Sequence, residues 1–474
     1  MREVHIPPHS IDRYVPVIGQ ADVDAARAAG ERARTRTAGR VVWNVNSTAR
    51  GGGVAEILST LLPYVRGLGI DVRWLVIDGN PEFFRVTKRL HHALHGQAGD
   101  GSALGPAQRD VYEDALRGNA REISALVRPR DIVILHDPQT AGLAPELLRA
   151  GAVVIWRCHI GADVANDQVD LGWDFLERYL DGVPAFIFTR AQYVPECCDR
   201  SRSVIIAPAI DPFSAKNQEL DADTVRAILV HTGIVEGPPG PGQPLFLRGD
   251  GSPERVDRQA DITRLGRAPV WETPLVVQVS RWDPLKDPIG VMDGFAQILD
   301  DNRAGDADLV LAGPNVTAIA DDPEGAETLD GVVAHWRGLP HGHRGRIHLA
   351  CLPMADGEEN AAIVNALQRR AAIVVQKSLH EGFGLTVAEA MWKARPVVGS
   401  AVGGIQEQIE DGVSGLLLKD PADLGAFGGL LQRLIEDPAR AGSLGEAARE
   451  RVRGRYLGLR QLVQHAELLE RIDA

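Results

Sequence analysis

The chain has 474 residues, 44% of them apolar, and carries 51 basic against 64 acidic side chains, a formal charge of −13 with histidine neutral. That length favours two or three domains with sizeable cores. The charge argues against general binding to nucleic acid or an anionic membrane, both of which need basic surface, but not against a nucleotide, which needs only a local basic pocket.

The first residues, MREVHIPPHSIDRY, contain no apolar signal core, and no apolar run approaches the roughly 20 residues of a membrane span. Cys158, Cys197, Cys198 and Cys351 show no C-x-x-C spacing, so neither a zinc site nor a disulfide framework is expected and a reducing cytoplasm fits. Residues 1 to about 38 are polar and rich in Ala and Arg, with a surface helix expected over Asp22 to Arg34. Val41 to Asn46 is the first strand. The loop Ser47 to Gly53 and an amphipathic helix over Val54 to Leu68 follow, then a strand over Val72 to Ile77. This alternation predicts a parallel sheet with helices on both faces, where ligands bind at the carboxyl ends of strands. Gly51-Gly52-Gly53 lies at such an end, but it is neither a Walker A sequence nor G-x-G-x-x-G, and a tight turn explains it as well as a ligand loop.

A helix is expected over Phe83 to His95, where a solvated basic face accounts for Lys88. A strand over Asp131 to Leu135 ends in His136-Asp137-Pro138-Gln139, and one over Ala152 to Cys158 ends in His159. Two histidines directly after parallel strands are site candidates, since side chains there point into a cleft. Strands over Ala185 to Phe188 and Ser203 to Ala207 close this half, and Pro208 to Pro212 punctuates the chain. The domains are therefore set at 1–210 and 211–456, with a helix from about 457 to 474 returning to pack on the first. Residues 233–269, rich in Gly, Pro and charge, read as a long insertion or flexible loop, partly disordered.

The second domain opens with a buried strand over Leu275 to Ser280, then Arg281-Trp282-Asp283-Pro284-Leu285-Lys286 and a helix over Pro288 to Leu299. A basic pair at a strand end before a helix suits a diphosphate leaving group; the ordinary reading is a salt bridge with Asp283 or Asp287. Strands follow over Leu309 to Ala312, Ile347 to Ala350, Ala371 to Val375, Val397-Val398 and Gly415 to Leu418. A helix spans Glu359 to Arg370, and residues 423–472 read as helical. Between two of these strands stands EGFGLTVAEAMWKARPVVG. Gly382-Phe383-Gly384 opens a helix to about Lys393, Glu381 sits before it, and Glu389 lies about two turns into it. The helix end favours phosphate and the carboxylates favour hydroxyls, and a sugar nucleotide carries both. Asp321-Asp322 lacks the context of a magnesium site, and no other metal site is visible.

E-G-F-G-L-T-V-A-E-A resembles the E-x7-E element of retaining family 4 glycosyltransferases, whose architecture is called GT-B. The resemblance implies two Rossmann-like doubly wound α/β domains facing a cleft, with Glu381 beside the sugar ring and Glu389 on the ribose hydroxyls. VNSTARGGGVAEIL, FFRVTKRLHHALHG, LHDPQTAGL, WRCHI, PAIDP and QVSRWDPLKDP together resemble the trehalose glycosyltransferring synthases, from about Val41 to Gly415. By that match the enzyme transfers glucose from an NDP-glucose to free glucose to form α,α-trehalose. His159, Glu381, Arg281 and Lys286 would carry catalysis. Gly52, Gly53, Gly382, Phe383, Gly384, Leu385 and Glu389 would join Arg281 and Lys286 on the donor. Asn46, Ser47, His136, Asp137 and Gln139 would stand on the acceptor side. The match implies no cofactor and no metal, no nucleic-acid or membrane partner, and leaves a homodimer open. Another family 4 acceptor or a non-catalytic nucleotide-sugar sensor keeps the same donor residues; a glycan phosphorylase or an NAD dehydrogenase needs motifs that are absent.

Overall fold

Strands buried on both faces need helices on both sides of their sheet, and the structure, a computed structural model describing residues 1–49, 52–316 and 323–472, supplies them twice. The chain divides into two compact units, Met1–Ile210 with the C-terminal segment from Arg455, and Asp211–Gly454.

In the first unit the described strands are β1 (Arg2–Val4), β2 (Val42–Asn46), β3 (Val72–Val76), β4 (Ile132–His136), β5 (Val153–Cys158), β6 (Ala185–Phe188) and β7 (Ser203–Ile205). They form one sheet in the order β1-β3-β2-β4-β5-β6-β7, parallel except for β1. Alternation along the strands sends Trp43, Val45, Leu135 and Trp156 to one face, against the helices Pro81–Leu94, Pro106–Leu126 and Asp167–Leu180. Val42, Ile134 and Ile155 go to the other, where Leu58, Leu62, Ala466 and Leu468 from the helices Gly53–Gly67 and Gly458–Ile472 cover them.

The helix Gln20–Arg36 lies at the surface, as expected, with one narrow face turned inward. Val23, Ala26, Ala29, Gly30 and Ala33 are buried, and Arg32 pairs with Glu470 of the C-terminal helix at 2.7 Å. Its small side chains also admit Leu68, since a Cβ on Gly30 would stand 2.6 Å from Leu68 Cδ1.

The second unit opens with the helix Ala222–His231, then a hairpin of β8 (Leu245–Leu247) and β9 (Pro253–Arg255), and β10 (Asp261–Thr263). The parallel strands are β11 (Leu275–Val279), β12 (Asp308–Pro314), β13 (Ile347–Leu352), β14 (Ile373–Gln376), β15 (Val397–Ser400) and β16 (Leu416–Leu418). The sheet order is β10-β13-β12-β11-β14-β15-β16, with β10 antiparallel at the edge.

Residues 233–269 are therefore not a disordered insertion. Phe246 and Val256 are buried, and carboxylates at the start of the helix Gly357–Arg370 hold the rest. Arg248 pairs with Asp356 and with Glu358 at 2.9 Å. Glu359 pairs with Arg258 and accepts the Asp257 and Arg258 amides at 2.7 and 2.8 Å. Charge does here what an apolar period does elsewhere. Among the described residues no helix is long and apolar enough to cross a membrane.

Candidate active site

The second unit gathers its candidates where β11 and β14 end. Helix Leu385–Trp392 begins one residue later than its glycine turn, with Gly384 as N-cap at φ +82° and no side-chain cap. That left-handed conformation costs an ordinary residue about 1–2 kcal/mol, and a Cβ there would meet Glu381 Cγ and Ile405 Cγ1 at 3.2 Å. The turn is propped from behind: Gly404 N donates to Gly382 O at 3.1 Å and Gln408 Nε2 to Phe383 O at 2.6 Å. The uncapped first turn directs its N–H groups and the positive end of the helix dipole forward.

Two lysine–carboxylate pairs cross-link the loops after β11 and β14. Lys286 Nζ lies 2.6 Å from Glu381 Oε2, which also accepts from Ser378 Oγ at 3.2 Å. In the reverse sense, Lys377 from the second loop pairs with Asp287 in the first. Asp287 is left-handed at φ 48° and caps the helix Pro288–Asp300 through the Gly290 amide at 3.0 Å. Lys286 therefore pairs with neither Asp283 nor Asp287, but with another candidate site residue. Arg281 does form the ordinary surface bridge, to Asp283 at 3.2 Å, with its side chain 62% exposed.

Glu389 is the fifth residue of its helix, little more than one turn in rather than two. It is buried and faces Lys216 Nζ at 3.3 Å. Behind it Lys393, drawn down to about 7 by burial against the raising effect of Glu389, donates to Asn217 Oδ1, Gln368 Oε1 and Glu389 O at 2.8–3.1 Å.

In the first unit the polar candidates share the sheet face covered by the C-terminal helix. His136 is buried, its Nε2 3.1 Å from Asn44 Oδ1 and its Nδ1 3.1 Å from His159 Nε2. With Asn44 Oδ1 accepting, His136 carries its proton on Nε2 and its Nδ1 accepts from His159. His159 Nδ1 is then a bare acceptor, with no hydrogen-bond partner among the described residues. Burial first, then the Arg157 charge, pulls both histidines well below their usual range, so both are neutral at pH 7. His136 is thus an orienting group behind His159 and not itself a side chain open to a ligand.

Asp137 sits at φ +62°, a conformation that costs a non-glycine residue about 1–3 kcal/mol and that marks functional sites. Its Oδ1 accepts the His159 amide at 2.7 Å, and burial pushes its carboxyl up to about 7 against the lowering effects of that bond and of Arg157. Arg157 is buried, pulled down to about 10 by burial, with Nη1 3.0 Å from His465 Nε2 of the C-terminal helix.

Asn46 is committed to the fold: its Oδ1 accepts from Trp74 Nε1 at 2.8 Å and its Nδ2 donates to Thr48 O at 2.7 Å. Ser47 and Gln139 are partly exposed, Gly53 is exposed, and Gly52 is exposed with φ +90° at the N-cap of helix Gly53–Gly67. Gly51 lies outside the described residues, as does the Asp321-Asp322 pair. Sequence reasoning missed Asn44, Arg157, His465, Lys216, Lys377 and Asp287. Asn44 and Arg157 left a signal, since each is a polar residue inside a strand that otherwise reads as core.

Two doubly wound units, one of which meets a glycine-opened helix with two carboxylates and a lysine, define a glycosyltransferase of the GT-B class. A family model described as "Trehalose synthase, N-terminal domain" matches residues 44–195, and one described as "Glycosyl transferases group 1" matches residues 357–451. The chain is 33% identical to a trehalose synthase of Pyrococcus horikoshii over 97% of this chain and 95% of that one. It is 36% identical to a trehalose synthase of Rubrobacter xylanophilus over 92% of each. In fold it is similar to the α,α-trehalose 6-phosphate synthase of Burkholderia multivorans, with a TM-score of 0.66 at 16% identity over 92% of this chain and 99% of that one. The chain belongs to the trehalose synthase family.

Proposed function

We propose that the protein transfers glucose from an NDP-glucose to free glucose with retention, forming α,α-trehalose. The observation that carries this reading is the Lys286–Glu381 pair in front of the Gly384-capped helix that also bears Glu389. The donor's diphosphate takes Lys286, Arg281 and the helix-end N–H groups, while sugar and ribose hydroxyls take Glu381 and Glu389. The bond from the anomeric carbon to the diphosphate breaks and one from that carbon to the acceptor oxygen forms on the same face. The acceptor proton passes to the departing phosphate oxygen. His159 Nδ1, Asp137, Ser47 and Gln139 supply the directional hydrogen bonds that a small polyol needs. A cytoplasmic location, with its supply of nucleotide-activated sugar, fits this reading.

Incubation with UDP-, ADP- and GDP-glucose plus glucose is expected to yield an α,α-1,1 disaccharide by NMR. Glycosylation of fructose, a sugar phosphate or a lipid in place of glucose would leave only the broader family reading.

No metal enters this scheme. The leaving charge is met instead by Lys286, Arg281 and backbone dipoles. Activity is expected to survive metal stripping and excess EDTA. Complete loss, restored only by magnesium or manganese, is the contrary result.

A further inference from the structure

We propose that Lys216 is a further donor-binding residue, which holds the Glu389 carboxylate before the donor arrives and passes its ammonium to the donor's diphosphate when ribose hydroxyls take that carboxylate. The inference rests on the donor-site reading above and adds a residue outside every motif on which that reading stands.

Lys216 belongs to the segment directly after the break between the units, and its neighbours are anchored. Asn365 Nδ2 donates to Ala215 O and Gln218 O at 3.1 and 2.9 Å. Trp392 Nε1 donates to Asn217 O at 3.2 Å, and Lys393 Nζ to Asn217 Oδ1 at 2.9 Å. Arg369 and Arg449 both pair with Glu219, at 2.8 and 2.7 Å. The backbone at Lys216 is thus pinned against the elements that carry Glu389. Its four-carbon stem stays flexible at the end of that fixed mount.

Burial orders the approach. The Glu389 side chain is 1% exposed and that of Lys216 is 23% exposed, so an arriving ligand meets the ammonium first. The other lysine nearby, Lys393, is spent on neutral oxygens, two amide side chains and the Glu389 carbonyl. Lys216 is therefore a cation whose ammonium faces the carboxylate. The two glutamates of the turn are in fact served alike, Glu381 by Lys286 at 2.6 Å and Glu389 by Lys216 at 3.3 Å. An NDP-glucose offers sugar hydroxyls to Glu381, ribose hydroxyls to Glu389 and anionic oxygens to each ammonium. After the exchange the ammonium faces the phosphate and the Glu389 carboxylate keeps hydrogen bonds, from the ribose hydroxyls. Glu389 stands four residues beyond Leu385, about 6 Å along the axis from the phosphate-facing helix end, a span within reach of a lysine side chain.

The test is calorimetric titration of wild type, Lys216→Met and Lys216→Arg with UDP, ADP and GDP and with uridine, adenosine and guanosine. Lys216→Met is expected to weaken the bound diphosphate about 10-fold or more and leave nucleoside affinity unchanged or improved because Glu389 is uncovered. Lys216→Arg is expected to keep most of the diphosphate affinity. A merely structural lysine would lower nucleoside and diphosphate binding together, and that result, or an unchanged diphosphate affinity, overturns the inference. If Lys216→Met does not fold, Lys216→Gln carries the comparison. A wild-type protein that binds none of the three diphosphates would instead overturn the donor-site reading itself.

Discussion

Lys286→Ala is expected to lower turnover about 100- to 1,000-fold, the usual loss when one preorganised charge-stabilising group is taken from a reacting centre. Lys286 is not a loose surface cation. Gln278 Nε2 holds its carbonyl at 2.9 Å, Leu379 N donates to Leu285 O at 2.8 Å, and the Lys377–Asp287 pair locks the next residue. Its ammonium is therefore positioned before the diphosphate arrives and pays little to reorganise. The substitution also strips Glu381 of its cation, and Glu381 is only 11% exposed, so part of the loss passes through the carboxylate. Two measurements separate these parts. Nucleoside diphosphate affinity by calorimetry reports the phosphate contact, and Lys286→Ala combined with Glu381→Gln reports the rest. Should Lys286→Ala bind the diphosphates as wild type does, the lysine is a partner of Glu381 alone and the clamp does not exist.

The candidate donor residues could be singled out because they are local in sequence: Glu381, Gly384 and Glu389 fall within nine residues, between strand signals that fix their place. What joins those parts is not local. Lys286 and Glu381 are 95 residues apart, as β11 and β14 are neighbours in the sheet but not in the chain. Lys216–Glu389 and Arg157–His465 are longer-range still, and no spacing rule reaches them. Helices Pro106–Leu126 and Asp167–Leu180 went unread for another reason. The first buries only Tyr112, Leu116, Asn119 and Ile123, a stripe too narrow to stand out in a charged segment. Residues 233–269 misled because their composition is that of a loop. Their order comes from carboxylates on the helix Gly357–Arg370, about a hundred residues further along the chain.

The buried histidines make the first unit acid-sensitive, and it is expected to lose about 3 kcal/mol of stability between pH 7 and pH 5. His136, His159 and His465 are all held below 6.5, the last at about 3, and burial is the leading cause for each. The unfolded chain takes up these protons as pH falls through 6.5, while the folded unit does not. The unfolded state then binds more protons, and stability falls with pH. Asp137 works in the opposite direction, because its folded value of about 7 exceeds the ordinary 3.8 and the folded unit binds that proton first. Three groups lose and one gains, at about 1.4 kcal/mol per pH unit for each fully titrating proton, which leaves the net loss given above. Urea unfolding at pH 7 and pH 5, with hydrogen exchange of β4 and β5 amides to report on this unit, measures it. His465→Gln removes one of the three titrating rings and is expected to cut the pH-dependent change by roughly half. A variant with the wild-type pH dependence would mean that His465 is as readily protonated in the fold as out of it, and that the Arg157 guanidinium does not exclude charge from its surroundings.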